Sequence, residues 1–477
     1  MLLALTGPPQ SLNPITDGSP ALRPVTPLLF DSLLRANPET AQLQPGLAQA
    51  WQFSADGRQV TFSLPPNLAW SDGTPYTAAD VAASLEATQH PALLKFSRIS
   101  AATDQTLQLD FLEPDCAAVT SLALLPLLPA GQILSPAPAG SGPFVVAGQS
   151  DDGGTLRLAP NPHYAGSTPR LSEIELRFFS QRDLEIVLSE GAGAFSAIGP
   201  LEQRPATPPG FRELTYPAAR AVGVAINFAP KNDPPLPEPV RRALHLALNR
   251  PAILAELLAG DAALPAGTLL PGHWAAATLS PPEYNPTEAA RLLAEAGLRD
   301  GDADGWLELD GQRLELALRL DGTNRLHQRL GWLVSSYYRD LGLFARAESV
   351  PRDSVMDDLF THDFTLAIFG WPILPDPDQR VFWHTAENEP GLGLNFTSYS
   401  NPALDSLMTD AATLPGCEEP ARAAAYQPVQ ETLNSDRPVD FVLVPNQHLF
   451  VSERLYGLQP GPFAPFTWNA AEWYLEE

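Results

Sequence analysis

The sequence predicts an α/β protein that folds as two or three lobes. With 477 residues, the chain is too long to bury a single hydrophobic core. Strand-like and helix-like patterns alternate along it, and proline-rich breaks interrupt them near residues 126–143 and 230–239. Hydrophobic residues make up 44% of the chain, which is enough for a packed interior. No apolar run reaches the roughly 18 residues that a membrane-spanning helix needs.

The beginning of the chain shows this alternation. Residues 1–5 form a short apolar strand that lacks the length and the basic flank of a signal peptide, so we expect any export signal to have been removed. Residues 26–34 are apolar at helical spacing, and residues 60–64 alternate as a strand after a hairpin turn. A helix is then predicted to begin with Thr77 as its N-cap and Asp80 in its first turn.

The most informative stretch is the nearly unbroken apolar run at 364–372, which predicts a strand buried on both faces. The run ends in Gly370, Trp371 and Pro372. A glycine beside an indole at a strand end presents bare backbone and an aromatic wall, which favours a ligand cleft. A tryptophan that only fills the core would give the same pattern.

Charge excludes two classes of partner. The formal net charge is −26, and Lys95 and Lys231 are the only lysines among 29 basic residues. Such a charge repels nucleic acid and anionic membranes, so neither is expected to bind. It is best explained as an acidic, solubilising surface.

Motifs of catalysis are missing from the sequence. It contains no His-Glu-x-x-His, Gly-x-Ser-x-Gly, Ser-x-x-Lys or phosphate-binding glycine loop, and its eight histidines are scattered. A carboxylate pair in a cleft stays open as an alternative. We expect a protein that is not an enzyme and that carries no cofactor.

Two features leave questions open about bridges and metals. Cys116 and Cys417 fit no metal-binding spacing, and either two free thiols or one long-range disulfide is compatible with the sequence. The acidic loop at 300–305 copies the first half of a calcium loop, but Gly311 stands where the bidentate glutamate belongs. We predict no metal site there, with a distorted structural calcium site as the alternative.

A series of ordered landmarks resembles one known family. They include Trp-Ser-Asp-Gly-Thr-Pro-Tyr-Thr-Ala-Ala-Asp-Val at 70–81, Gly-Ser-Gly-Pro-Phe at 140–144 and the Asp-Phe…Gly-Trp strand at 363–371. Further blocks occur at 43–51, 161–174, 226–250, 284–297 and 399–405. Together they resemble the peptide/nickel-type ABC-transporter extracellular solute-binding proteins (solute-binding family 5), over essentially the whole chain.

The resemblance implies the two-lobed periplasmic-binding-protein fold of the cluster C type, an α/β fold with an extra small subdomain inserted in the first lobe. Lobe I would comprise 1–30, 143–222 and 456–477. The inserted subdomain would span 31–142, and lobe II would span 223–455.

The resemblance also implies a function. The chain would be the extracytoplasmic solute-binding component of an ABC importer, capturing a peptide-like or other small solute in an interlobe cleft by hinge closure. Its partners would be that small-molecule or short-peptide ligand and the membrane permease, with the protein itself a monomer. It would be periplasmic, or an outer-face lipoprotein. A non-peptide solute (oligosaccharide, chelated metal or hydrophobic amide) and a ligand-sensing regulator domain are the alternatives.

The ligand site is where this chain departs from its relatives. Peptide-binding members place an aspartate that anchors the ligand's α-ammonium where this chain has Ile373. Pro372 lacks the backbone N–H that normally pairs with the ligand. Asp376 matches the acidic-Pro position that holds the loop, while Arg352 is a candidate new polar contact. The full predicted ligand-binding set is Gly18, Ser19, Pro20, Val222, Gly223, Arg352, Gly370, Trp371, Pro372, Ile373 and Asp376.

Overall fold

A computed structural model of the protein describes residues 1–180, 194–198 and 206–476. Its strands are β1 Leu2–Thr6, β2 Leu34–Ala36, β3 Leu43–Pro45, β4 Ala50–Phe53, β5 Gln59–Ser63, β6 Phe96–Thr103, β7 Thr106–Phe111, β8 Phe144–Gln149, β9 Thr155–Pro160, β10 Ile174–Phe179, β11 Ala194–Ile198, β12 Phe211–Pro217, β13 Arg220–Ile226, β14 Ala262–Ala263, β15 Glu308–Leu309, β16 Gln312–Arg313, β17 Glu315–Asp321, β18 Phe344–Val350, β19 Leu366–Pro372, β20 Val439–Ser452, β21 Leu455–Tyr456 and β22 Tyr474–Leu475.

The α-helices of the described residues are α1 Thr26–Leu29, α2 Ala78–Ala87, α3 Cys116–Ala123, α4 Glu238–Leu246, α5 Arg250–Leu258, α6 Pro286–Glu295, α7 Arg325–Asp340, α8 Arg352–Thr361, α9 Arg380–Trp383, α10 Pro402–Ala412 and α11 Glu419–Asp436. Short 3₁₀ turns lie at Pro91–Lys95, Ala130–Gln132, Thr385–Glu387 and Ala470–Glu472. Within the described part of the chain, no helix combines the length and the apolar character that crossing a bilayer requires.

A long path of hydrogen-bonded strands runs through both halves of the molecule, in the order β18-β17-β19-β13-β20-β11-β1-β10-β9-β8. β20 joins the halves, because its first residues pair with β13 and its last residues pair with β11 and β12. The first half carries one apolar core around β1 and β10, and the second carries another around β13, β17 and β19. The prediction of a two-lobed α/β fold is confirmed.

A separate four-stranded sheet, in the order β4-β5-β7-β6, lies within residues 50–111 and packs with α2 and α3 around its own core. The predicted cap of α2 is present: Thr77 Oγ1 accepts from the Ala79 N–H, and Asp80 accepts from the Thr77 N–H at 2.8 Å. We refer to residues 31–142 as the insert. The division of the chain at 30, 142, 222 and 455 stays a prediction.

A disulfide joins the insert to the second half. Cys116 at the start of α3 is bonded to Cys417, which lies just before α11, across a sequence separation of 301 residues. An ion pair supports the same junction, since Arg380 contacts Asp115 at 2.9 Å. The alternative of two free thiols is therefore wrong for this structure.

The second half positions the residues at the end of β19. β17 is parallel to both β18 and β19, so the carboxyl ends of these three strands lie at one edge of the sheet. β13 runs antiparallel to β19 and brings its first residue, Arg220, opposite Pro372. Loops at the carboxyl edge of parallel strands are where ligands of open α/β sheets bind.

Candidate functional site

The residues that end β19 form the centre of the site. Gly370 lies directly under the side chain of Arg220, since a Cβ at this position would be 2.1 Å from the Arg220 Nε. A side chain at position 370 would therefore displace the guanidinium from this place. The bare backbone predicted at Gly370 is present, and an arginine side chain covers it.

Trp371 is a core residue, with 3% of its surface exposed. Its ring stacks on Trp383 with a centroid distance of 6.3 Å and meets Phe441 edge-on at 6.0 Å. The expectation of an open aromatic wall is corrected, because a continuous aromatic cluster surrounds the indole. Trp371 still helps to line a small cavity of about 10 Å³, together with Pro372, Ile373 and Asp376 of the predicted set. That space is about the size of one water molecule.

The turn after β19 offers the ligand no free carboxylate. Ile373 is buried in an apolar cluster with Ala221, Leu270 and Phe463, and its N–H donates to the Ala219 carbonyl at 2.9 Å. The position that would hold an ammonium anchor is therefore packed with hydrocarbon.

Asp376 is saturated by protein donors. Its carboxylate accepts from Arg422 at 2.7 and 3.0 Å, from the Thr120 hydroxyl at 2.8 Å and from the Asp378 N–H at 3.0 Å. Burial alone would raise the pKa of Asp376, but the charge and hydrogen bonds of Arg422 outweigh it and hold the pKa below its usual value. Asp376 thus holds the turn in place and ties it to the insert through Thr120.

A larger cavity of about 520 Å³ lies on the other side of Asp376. Its walls come from the insert (Trp51, Phe53 and Thr120) and from the second half (Trp274 and Arg422). This volume falls within the range of about 300–1,000 Å³ that is usual for small-molecule sites. The Cys116–Cys417 disulfide also lines this cavity and links its two walls covalently.

Val222 and Gly223 lie inside the sheet, where β13 pairs with β19 on one side and β20 on the other. Val222 belongs to the core of the second half. A Cβ on Gly223 would be 2.5 Å from the Asp440 carbonyl oxygen, so this glycine permits close strand packing. Both residues thus contribute to packing within the sheet, and their contact with a ligand stays a prediction.

Gly18, Ser19 and Pro20 lie in a loop of the first half that is not part of the wall of either cavity described above. The Ser19 N–H donates to the Asp17 carboxylate at 2.8 Å, which holds the loop on itself. The structure therefore does not join this loop to the residues around Trp371.

A basic group that the sequence reasoning largely missed lies beside Gly370. Arg352 begins α8 and is close enough to Arg220 for their charges to interact. Burial lowers the pKa of Arg220, and the charge of Arg352 lowers it further. Burial also lowers the pKa of His327, in the first turn of α7, to about 4, with Arg220 adding to the effect. The position of Arg220 beside Gly370 could be predicted only from the register of β13 with β19, which places Arg220 opposite Pro372.

The acidic loop at 300–305 brings carboxylate oxygens of Asp300, Asp302 and Asp304 within 4.8 Å of one another, all at exposed residues. These carboxylates already accept backbone N–H groups of the same loop, and Asp304 also pairs with Arg313. Hydrogen bonds within the loop therefore determine its conformation. They give no additional support to the alternative of a calcium site.

The sequence matches the profile of the bacterial extracellular solute-binding proteins, family 5, over residues 42–391. It is 26% identical to the oligopeptide-binding protein AppA of Bacillus subtilis over 345 residues, which are 71% of this chain and 62% of AppA. It is 28% identical to protein XP55 of Streptomyces lividans over 483 residues, covering 96% of this chain and 86% of XP55.

Solved structures share the fold. The structure of AppA from Bacillus subtilis in complex with a nonapeptide matches with a TM-score of 0.77 at 21% identity, covering 100% of this chain and 99% of that one. NikA from Brucella suis in complex with Fe(III)-EDTA matches with a TM-score of 0.83 at 18% identity, covering 100% of both chains.

Proposed function

Because the chain belongs to the bacterial extracellular solute-binding proteins of family 5, we propose that it captures a peptide-like or other small solute where its lobes meet and presents it to a membrane permease. The protein is the extracytoplasmic solute-binding component of an ABC importer. It acts by binding and release, and it catalyses no reaction of its own.

The observation that carries this proposal is the pair of spaces on either side of the turn at 370–376. One is the small cavity against Trp371, and the other is the larger cavity whose walls come from the insert and the second half. Residues of the insert (Ala36 and Ala41), the second half (Ile373 and Leu270) and the C-terminal segment (Phe463) meet in one apolar cluster beside them. Such a junction encloses a solute when the lobes approach and exposes it when they separate.

The class of solute follows from the residues of the turn. AppA is an oligopeptide-binding protein, and NikA binds Fe(III)-EDTA in its solved complex, so this fold accommodates peptides and non-peptide solutes. In this chain, hydrocarbon occupies the anchor position at Ile373, and the only carboxylate of the 370–376 turn is held by Arg422. Recognition of the solute therefore does not depend on a free ammonium group.

Two measurements test the proposal. Native mass spectrometry of the purified protein should detect a co-purified small molecule that is released on unfolding. Small-angle scattering should give a radius of gyration near the compact value of about 23 Å with solute bound and a larger value without it. Identical scattering curves, together with no small molecule and no binding to any tested peptide or metal chelate, would exclude solute capture.

A further inference from the structure

The strand that joins the two halves changes its partners between two consecutive residues. Up to Pro445, β20 pairs with β13 and β14, and β14 packs against the core of the second half. From Asn446 onward it pairs with β12, which packs against the core of the first half. Proline has no N–H to donate to a neighbouring strand, so it weakens a sheet where it stands. A bend between Pro445 and Asn446 would therefore turn one half relative to the other.

His448 lies directly after this crossing point and contacts one carboxylate from each side of it. Its Nδ1 is 2.7 Å from the Glu213 carboxylate of β12, and the Thr215 hydroxyl lies 3.3 Å from the same nitrogen. Its Nε2 is 2.6 Å from the carboxylate of Asp261, which lies between α5 and β14. The Asn446 side chain also donates to Asp261, at 2.9 Å. An ion-pair cluster thus spans the place where β20 passes from one half to the other.

The positions of the two carboxylates determine how many protons the ring of His448 carries. A carboxylate oxygen only accepts hydrogen bonds, so each of the two contacts needs an N–H on the ring. A neutral imidazole has one N–H and would leave its bare nitrogen facing a carboxylate. That mismatch would be costly, because His448 is only 1% exposed. The cluster therefore makes its full set of hydrogen bonds only with the doubly protonated imidazolium.

Few other groups can influence this ring. Among the described residues, Glu213 and Asp261 are the charged groups in contact with it. On the other side of β20, β11 places Ser196, Ala197 and Ile198 opposite residues 448–450, and none of these side chains titrates near neutral pH. Histidine ordinarily gains or loses its proton between pH 5 and pH 8. A change of pH near neutrality would therefore act on the cluster through His448.

From this arrangement we propose that Glu213, His448 and Asp261 form a proton-dependent latch between the two halves. The latch holds the halves in the arrangement seen here while His448 is doubly protonated, and it releases them when His448 loses its second proton. The proposal rests on the solute capture proposed above, because a solute held where the halves meet is released when they separate. Raising the pH should then favour release.

The direction of the effect follows from the proton count. Glu213 shares a strand pair with β20 and stays beside His448, whereas a bend at Pro445 carries Asp261 away together with β14. The joined arrangement therefore binds one proton more than the separated one. Lowering the pH stabilises the arrangement that binds more protons, by up to about tenfold in the ratio of joined to separated molecules for each pH unit.

The protonation of His448 is measured by nuclear magnetic resonance on protein labelled with nitrogen isotope in its histidines. The resonances of His448 are those that disappear in His448→Gln. We expect both ring nitrogens to be protonated at pH 6 and one to lose its proton between pH 6 and pH 9. His384→Gln is the matched control, because His384 lies 3.8 Å from Asp405 but both residues belong to the second half.

Small-angle scattering of the solute-free protein measures the separation of the halves from pH 6 to pH 9. In the wild type and in His384→Gln, the ratio of joined to separated molecules should fall about tenfold or more with rising pH. Asp261→Asn should change it less than about twofold, because an amide can pair with the neutral ring as well. Asp261 is 23% exposed, so this variant is expected to fold even if His448→Gln does not.

Three results overturn the latch: a ring of His448 that carries one proton at pH 6, a ring that keeps both protons up to pH 9, or a pH response of Asp261→Asn equal to that of the wild type. Solute capture fails differently, since it is judged by the co-purified molecule and by contraction with solute at a single pH. A protein that binds a solute and contracts, but whose halves respond to pH equally with and without the Asp261 carboxylate, retains its function and loses only this inference.

Discussion

The Asp376 carboxylate accepts two hydrogen bonds from the Arg422 guanidinium, with N–O distances of 2.7 and 3.0 Å. Both side chains are buried, and Arg422 also lies over the ring of Trp274 at 5.4 Å. The pair fixes the turn that follows Trp371 onto α11, while Thr120 connects it to the insert. One buried ion pair thus determines the position of the whole turn.

We expect Asp376→Asn to lower the free energy of unfolding by about 3–5 kcal/mol, because it leaves the buried Arg422 charge without its counter-ion. Urea denaturation measures this change. Glu315→Gln is the control, since Glu315 pairs with Arg346 at the surface and such pairs contribute about 0–1 kcal/mol. Equal losses in the two variants would contradict the role given to Asp376.

We expect Trp371→Ala to lower the free energy of unfolding by about 3–5 kcal/mol, as removing a large core aromatic does. Trp332→Ala is the matched control, because Trp332 is 59% exposed and its loss should change stability by less than about 0.5 kcal/mol. If Trp371→Ala weakened solute binding while leaving stability intact, the indole would belong to an open cleft after all.

The protein should lose stability between pH 7 and pH 5. Burial lowers the pKa of His273 and of His327 to about 4, below the ordinary value of 6.5. The unfolded chain therefore binds protons in this range that the folded chain does not, so the stabilisation is complete above pH 6.5 and is lost as the pH falls towards 4. The loss amounts to about 2 kcal/mol per histidine at pH 5.

Urea denaturation at the two pH values, for wild type and His273→Gln, checks this expectation. The variant should show a shallower pH dependence. His163→Gln, at an exposed histidine, should keep the slope of the wild type. A wild-type stability that does not change between pH 7 and pH 5 would show that these histidines are not held neutral by burial.

N-acetylation of a peptide should not weaken its binding. By their resemblance to peptide-binding members, Ile373 and Pro372 are predicted to stand where those proteins hold a free amino terminus, and losing such a contact typically costs about 2–5 kcal/mol. Calorimetry of di- to pentapeptides with free and acetylated amino termini measures the difference. Tight binding of the free-amine forms that acetylation abolishes would instead point to Asp376 leaving Arg422 to act as the anchor.

Removing the disulfide should loosen the junction of the insert and the second half. We expect the double variant Cys116→Ser, Cys417→Ser to unfold about 2–4 kcal/mol more easily. Its solute-free radius of gyration should exceed that of the wild type, because the bond restrains how far these parts separate. Wild type treated with reductant is the control and should behave like the variant. Unchanged scattering would mean that the lobes open without moving this junction.

Much of the fold follows from local patterns, but some elements do not. The cap at Thr77 and the strand ending at Pro372 are where local pattern places them, because capping and burial are read within a few residues. The helix predicted over 26–34 ends at Leu29 instead, since Gly142 and Ser141 hydrogen-bond the backbone of Leu29 and Asp31 from far along the chain. Such tertiary partners override local propensity.

In the candidate site, too, some features could be predicted from the sequence and others could not. The apolar character of Ile373 is visible in the sequence and in the structure. The burial of Trp371 depends on Trp383 and Phe441, and the position of Arg220 over Gly370 depends on the register of β13 with β19. Both relationships join residues that are far apart in the sequence, so no local motif reveals them. Motifs therefore identified the turn after Trp371 but missed Arg220.

The bond between Cys116 and Cys417 also changes the topology of the polypeptide, since the residues from 116 to 417 form a covalently closed ring. A protease that cuts one peptide bond inside this ring, for example in the exposed loop at 300–305, opens the ring without releasing a fragment. The nicked chain would migrate as one species on a denaturing gel until a reductant is added, and then as two. This protein works outside the cytoplasm, where it meets proteases. A single cut anywhere between residues 116 and 417 would leave its two pieces covalently joined.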